Sequence, residues 1–388
     1  MMKIFLSHEK VNSGRQFEID CVKFFAIPFM VCIHFYEQFG KYDYADIVPD
    51  TLFRNIIEFV GGPLAAPVFM FCMGIGMIYT KHNSVSDFIK RGFKLLLIGY
   101  SLNFFRQTLL QLIGIAMGIE TDIDIIGGLL CVDILPFAGM AFLAVGLMKK
   151  CKLNTIVMCG IAFLMQAAGI WATKMHMEPG VIQNLLGLIV PTGKWTSFPL
   201  TLWLVYPVLG MIFGEFLNRC EDKKKMYGRL MILSMVFFVA YTGGLLFARM
   251  DIRNIYALCN DSYYHNSILG TLWILPIILF ELSLCHLFLC AAENTKFGVL
   301  IKFCGVNLNT IYIIQWLIIA YSVAVSILLE IDKIYSPFII ILGGIIVTII
   351  STVISVPFVK IKKSRKKNRN QATGFMGTAI IDLNHKFR

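Results

Sequence analysis

The chain has 388 residues, of which 57% are hydrophobic and 15% charged, with a mean hydropathy of +0.72. Soluble domains carry roughly 25% charge, so this composition excludes an ordinary water-soluble globule and leaves an integral membrane protein. The net charge of +11 does not point to nucleic acid, because the basic residues fall in short runs between long apolar stretches, the positive-inside pattern.

The N-terminal MMKIFLSHEKVNSGRQFEID carries charge where a signal peptide needs an apolar core, so the first hydrophobic helix is expected to be retained. About 20 apolar residues span a bilayer as a helix. About ten such segments follow, near residues 20–36, 56–79, 93–117, 126–148, 153–173, 197–217, 230–248, 267–290, 303–328 and 336–358. Basic residues precede the first span (Lys3, Lys10, Arg15) and follow the second (Lys81, Lys90, Arg91), the fourth (Lys149, Lys150, Lys152), the sixth (Arg219, Lys223 to Lys225) and the tenth (from Lys360). The intervening loops, 37–50, 118–124 and the link at Glu330 and Asp332, are acidic or neutral. The expected fold is therefore an all-α polytopic bundle of about ten transmembrane helices with both termini cytoplasmic. It comprises a membrane domain over 1–358 and a basic tail over 359–388. The apolar run 182–191 is too short to cross and is read as interfacial or re-entrant.

Ionisable groups inside spans cost about 2.5–3.5 kcal/mol each on insertion scales and are functional candidates by default. Lys23 and His34 lie 11 residues apart on one face of the first span, about 16 Å along the axis; the alternative is a snorkelling lysine and an interfacial histidine. Lys90, Arg91 and Lys94 crowd the start of the third span. Asn103 and Arg106 lie deeper in it, where Arg106, about 18 Å beyond Lys94, requires an internal partner. Asp133 and Glu281 are the acids on offer. Pro63, Pro67, Gly74 and Gly76 mark the second span as bent or closely packed. The 11 cysteines are scattered, without zinc-ligand spacing, and no metal is expected.

Several of these segments together resemble the transmembrane acyltransferase superfamily, which includes the acyltransferase family three proteins and the bacterial relatives of heparan-α-glucosaminide N-acetyltransferase. EIDCVKFFAIPFMVCIH places Lys23, ten residues and His34 where the family has Arg, ten residues and His. APVFMFCMGIGMIY is similar to its Phe-rich second helix, and Arg91-x-x-Lys94 to its cytoplasmic Arg-x-x-Arg. VDILPFAG (132–139) and FPLTLWLVYPVLGMIFGEFL (198–217) resemble the fourth-helix and sixth-helix signatures of its heparan-type branch. GVNLNTIYIIQW (305–316) is similar to a stretch where many members have Ser-Leu-x-x-Tyr-x-x-His. Lys23 stands for the usual Arg and loses its bidentate fork, and Gln315 stands where a His is common.

The resemblance implies an acetyl-CoA-dependent O- or N-acyltransferase of a bacterial plasma membrane, modifying a sugar or glycan acceptor with an acyl group from cytosolic acetyl-CoA. In that reading Lys90, Arg91 and Lys94 hold the CoA phosphates, with Lys23 at the same level. His34 is general base or acyl-carrying nucleophile. Arg106 or Asn103 stabilises the oxyanion, and Asp133 orients the acceptor. The partners are acetyl-CoA, the acceptor and the lipid bilayer, with no nucleic acid; a homo-oligomer is left open. The competing class is a transporter of an anionic or proton-coupled solute, which predicts internal repeats; none is visible.

Overall fold

The computed structural model describes residues 6–40, 51–119, 124–174, 177, 180–193, 195–257, 261–331 and 336–386. Thus the expected loop 37–50, most of 118–124, Cys259 and Asp332 lie wholly or partly outside the described residues. The described residues form helices and turns; their only β-type pairings are isolated bridges, Leu6 with Cys220 and Val132 with Thr196.

Polar residues placed at the ends of apolar runs decide where the helices begin. Helix α1 (Phe17–Phe39) opens with Glu18 and Asp20 in its first turn, favourable at the positive end of the helix dipole. The second span is broken: α2 (Leu52–Gly61) stops at Gly62, and α3 (Ala66–Tyr79) restarts with Pro67 in its first turn. Helix α4 (Val85–Asn103) is started by a reciprocal capping box between Ser84 and Asp87. It runs through a π turn, Phe104–Thr108, into α5 (Leu109–Ala116). The short α6 (Ile125–Leu130) is capped by Asp124, and α7 (Ile134–Lys150) by Asp133.

Helix α8 (Thr155–Ala172) follows an Asn154 cap. The run expected not to cross forms a six-residue helix, α9 (Val181–Leu186), ended by turns. Helices α10 (Leu200–Trp203) and α11 (Val205–Arg219) make one span, and α12 (Lys223–Phe247) leaves from an Asp222 cap. After the short α13 (Arg253–Tyr256) and α14 (Asp261–Tyr264) comes α15 (Ile268–Leu284). A second π turn, Cys285–Leu289, extends α15. Helix α16 (Lys296–Leu328) is kinked at Asn307, and α17 (Pro337–Lys386) ends the chain.

Eight of these helices or helix pairs are long and apolar enough to cross a membrane. The other two expected spans are Val85–Ala116, whose first turns are charged, and α7, which has 17 residues. The chain is an all-α polytopic membrane protein.

Packing pairs α4 with α7, α3 with α11, and α1 with both α16 and α17. Backbones touch where glycine removes the Cβ: Gly74 and Gly210 bring α3 onto α11, and Gly92 faces Gly139 between α4 and α7. Gly74 is thus a packing contact, and the bend expected from Pro63 is the break between α2 and α3. Trp203, Tyr206, Phe71 and Phe137 fill the interior, whereas Ile232, Leu233, Val236 and Val239 of α12 are exposed, as a lipid-facing surface is.

Hydrogen bonds gather the basic ends. Lys149 Nζ donates to the Asn83 carbonyl (3.1 Å). The N-terminal segment lies along 217–223, with Ser7 N on the Arg219 carbonyl (2.8 Å) and Lys223 Nζ on Gln16 Oε1 (2.7 Å). Arg15 reaches the Lys302 carbonyl (2.9 Å).

Candidate functional site

A cavity of about 1050 Å³ lies at the end of the bundle away from the basic loops, lined by the ends of α1, α5 and α16, by Cys131, Asp133 and Ile134 at the start of α7, and by residues 191–193, 195–198 and 263–265. Its wall holds His34, Arg106 and Asp133, which the sequence places 72 and 27 residues apart. The second-span break contributes Gly61, Ala65, Ala66 and Phe69 to the same wall.

His34 projects from α1 toward α16. Its Nδ1 lies 3.2 Å from Gln315 Nε2 and 3.4 Å from Gln315 Oε1, and its ring stacks on Trp316 at 4.2 Å and 30°. Tyr312, Gln315 and Trp316 share one face of α16 because they are three and four residues apart. Gln315 has no exposed surface.

The Arg106 guanidinium sits 4.4 Å over the Trp316 ring. Its Nη1 pairs with Asp133 Oδ2 at 2.8 Å, and its Nη2 donates to Asn103 Oδ1 at 3.1 Å. Asn103 in turn donates to the carbonyls of Leu129 (3.1 Å) and Cys131 (2.8 Å), fixing α4 to the α6–α7 junction. Arg106 lies inside the π turn, where one extra residue per turn re-aims a side chain relative to a regular helix. Its Nε is buried and has no hydrogen-bond partner among the described residues.

Asp133 is the internal partner that Arg106 requires; Glu281 is not, and its Oε2 is itself unpartnered among the described residues. The Tyr312 hydroxyl donates to Asp133 Oδ2 at 2.5 Å, and the Ile134 amide donates to Oδ1 at 2.7 Å. Oδ2 is thus taken by Arg106 and Tyr312, which holds the guanidinium in place, while Oδ1 accepts one backbone amide and keeps a further acceptor site. Gln107 and Gln111 line the cavity one helical turn apart, each with a buried Oε1 that lacks a donor among the described residues.

The structure thus unites His34, Asn103, Arg106 and Asp133. It does not bring Lys23, Lys90, Arg91 or Lys94 to the cavity. Lys23 is half-buried and makes no hydrogen bond or ion pair among the described residues. Lys90, Arg91 and Lys94 are exposed toward the basic end of α4, with Arg91 resting 4.6 Å over the Phe142 ring. The sequence reading missed Tyr312 and Trp316, whose signal was their spacing around a polar Gln315 in an apolar span. Gln107 and Gln111 also escaped it.

The family model described as an acyltransferase domain matches residues 16–357, from the turn before α1 to the membrane part of α17. No curated protein and no solved structure matches the chain.

Proposed function

The chain belongs to acyltransferase family 3, and from that premise we propose an acetyltransferase that takes its acyl group from acetyl-CoA and delivers it to a hydroxyl or amine of a sugar or glycan. In this reading the basic end of the bundle faces the cytosol of a bacterium and the cavity faces outward. The observation that carries it is the meeting of His34 with a fixed, incompletely satisfied Arg106 at the wall of a large cavity.

In the tautomer that donates Nδ1–H to Gln315 Oε1, His34 keeps a lone pair on Nε2, the form a general base needs. The acceptor hydroxyl gives its proton to Nε2 as its oxygen attacks the thioester carbon. The carbon–sulfur bond then breaks, and the CoA thiolate takes the proton back. Negative charge grows on the carbonyl oxygen in between, and the spare Arg106 Nε–H, in a site already desolvated, suits that oxyanion. Asn103 and Asp133 act on Arg106, one by a hydrogen bond and one by charge. Gln107 and Gln111 belong to the same wall, with their Oε1 atoms turned toward Gly128 of α6.

The donor's phosphates suit Lys90, Arg91 and Lys94. Lys94 and Arg106 are separated by about 18 Å of helix, a span of the order of an extended pantetheine arm.

The test is thioester-dependent stabilisation and turnover in lipid nanodiscs. Acetyl-CoA should raise the melting temperature of the wild-type chain, and His34→Ala should keep that rise while losing at least about 100-fold in CoA release with acceptor present. Arg91→Gln with Lys94→Gln should weaken the rise. A well-folded sample that ignores millimolar CoA, or near-normal turnover by His34→Ala, overturns the assignment.

A further inference from the structure

A second polar cluster lies at the opposite end of the bundle, among α1, α12 and the π turn after α15. Glu18 is 1% exposed although it is charged. Its Oε1 accepts from Lys223 Nζ (2.6 Å) and from the Tyr227 hydroxyl (3.1 Å). Its Oε2 points to His286 Nδ1 at 3.7 Å, and the same Nδ1 lies 3.4 Å from Cys290 Sγ. The Tyr227 ring stacks on the His286 ring at 4.4 Å and 27°, which fixes the imidazole plane. None of these residues lines the cavity at the other end.

Two chemistries bring a thiol, an imidazole and a carboxylate together. A nucleophilic triad needs the imidazole between its partners, with the thiol on one ring nitrogen and the carboxylate on the other. Here both partners address Nδ1, so no proton can pass from sulfur through the ring to the acid. Convergence of a sulfur, a nitrogen and an oxygen on one point is instead the arrangement of metal ligands. The three atoms lie within 4.8 Å of one another. Tetrahedral zinc with bonds of about 2.0–2.3 Å separates its ligand atoms by roughly 3.3–3.6 Å, close to the 3.4 and 3.7 Å found here.

We propose that Glu18 Oε2, His286 Nδ1 and Cys290 Sγ form a three-ligand site for a borderline-soft divalent cation, zinc first, with the fourth position open to the aqueous edge of the bundle. The charge balances: thiolate and carboxylate neutralise the dication, and Cys290 gives up its proton to solvent on binding. Lys223 and Tyr227 then serve Glu18 as outer partners, holding Oε1 and leaving Oε2 to the metal, as hydrogen-bonded carboxylate ligands commonly are. The donor set also argues against magnesium or calcium, which take oxygen ligands. His286 and Cys290 stand four residues apart across the π turn, and Glu18 comes from 268 residues earlier, which is why no ligand spacing is visible in the sequence.

Cobalt substitution of the purified full chain in nanodiscs is the direct test. One equivalent of cobalt should give a sulfur-to-metal charge-transfer band with intense visible ligand-field bands, displaced by zinc and absent in Cys290→Ser and His286→Gln. A second measurement needs no variant: zinc should slow alkylation of Cys290 at least tenfold relative to a chelator-treated sample. Exposed Cys151 should label equally in both. No cobalt–thiolate band in folded wild type, a band that survives Cys290→Ser, or alkylation of Cys290 indifferent to zinc, each overturns the site.

Discussion

Arg106 shows what a buried charge demands of its neighbours. It meets one acid, one amide and one indole, and removing the acid strands a cation in a dry site, which costs about 3–5 kcal/mol when a buried pair is broken on one side. Asp133→Asn is therefore expected to lower thermal stability markedly and to abolish transfer. Tyr312→Phe, which deletes one hydrogen bond to a charged oxygen, should cost about 1.5–3 kcal/mol and leave partial activity. Melting curves with matched turnover on the two variants check the ordering, and equal effects contradict it. Gln315 gives a finer readout. Gln315→Ala should slow turnover by about tenfold by releasing the His34 ring, with little change in the CoA-dependent melting shift, and Gln315→His should restore it. His34, Asn103, Arg106 and Asp133 were legible because membrane burial makes each polar residue conspicuous. Tyr312 and Trp316 were not, because an aromatic in an apolar span looks like packing until its neighbour across the interface is known.

The two π turns behave alike as elements. Each sits where a long span would otherwise carry its polar residue on another face, and each supplies one titratable or charged group to a cluster, Arg106 in one case and His286 in the other. Shortening the first by one residue should restore regular α-helix and swing every later side chain by about 100°. Deletion of Phe105, which is exposed, is expected to give a protein that inserts and purifies yet has lost at least about 100-fold in turnover, because Arg106 no longer faces Asp133. Activity within tenfold of wild type would show that the π turn does not set the geometry. Element boundaries were readable from caps such as Ser84 with Asp87 and from the Gly62–Pro63 break. The π turns were not, since no residue pattern announces one extra residue in a helix of ordinary composition.

For the molecule as a whole, orientation decides which substrate meets which end. Cys151 is exposed in a basic loop, so an impermeant maleimide should spare it in spheroplasts and label it after permeabilisation. Asp251→Cys, at an exposed position in the opposite set of loops, should label at once. The reverse pattern inverts the bundle and removes cytosolic acetyl-CoA as donor. Cys220, although it lies in a basic loop, is no reporter. It is 1% exposed, and burial pushes its thiol above the usual range, so it stays unlabelled on either side. Loop charge made the span order legible, whereas the pairing of α1 with α16 and α17 was not, because helix neighbours in a bilayer are chosen by side-chain fit that hydropathy does not encode.

That pairing has a consequence for biogenesis. His34 and Gln315 are separated by 281 residues, and at roughly 5–20 residues per second a ribosome needs about a quarter of a minute to a minute to travel between them. Throughout that interval His34 lacks the Gln315 and Trp316 contacts that hold its ring, and the N-terminal segment has no residues 217–223 to lie against until more than half the protein is made. A chain released before the ninth span emerges therefore carries His34 without the partners that orient its ring.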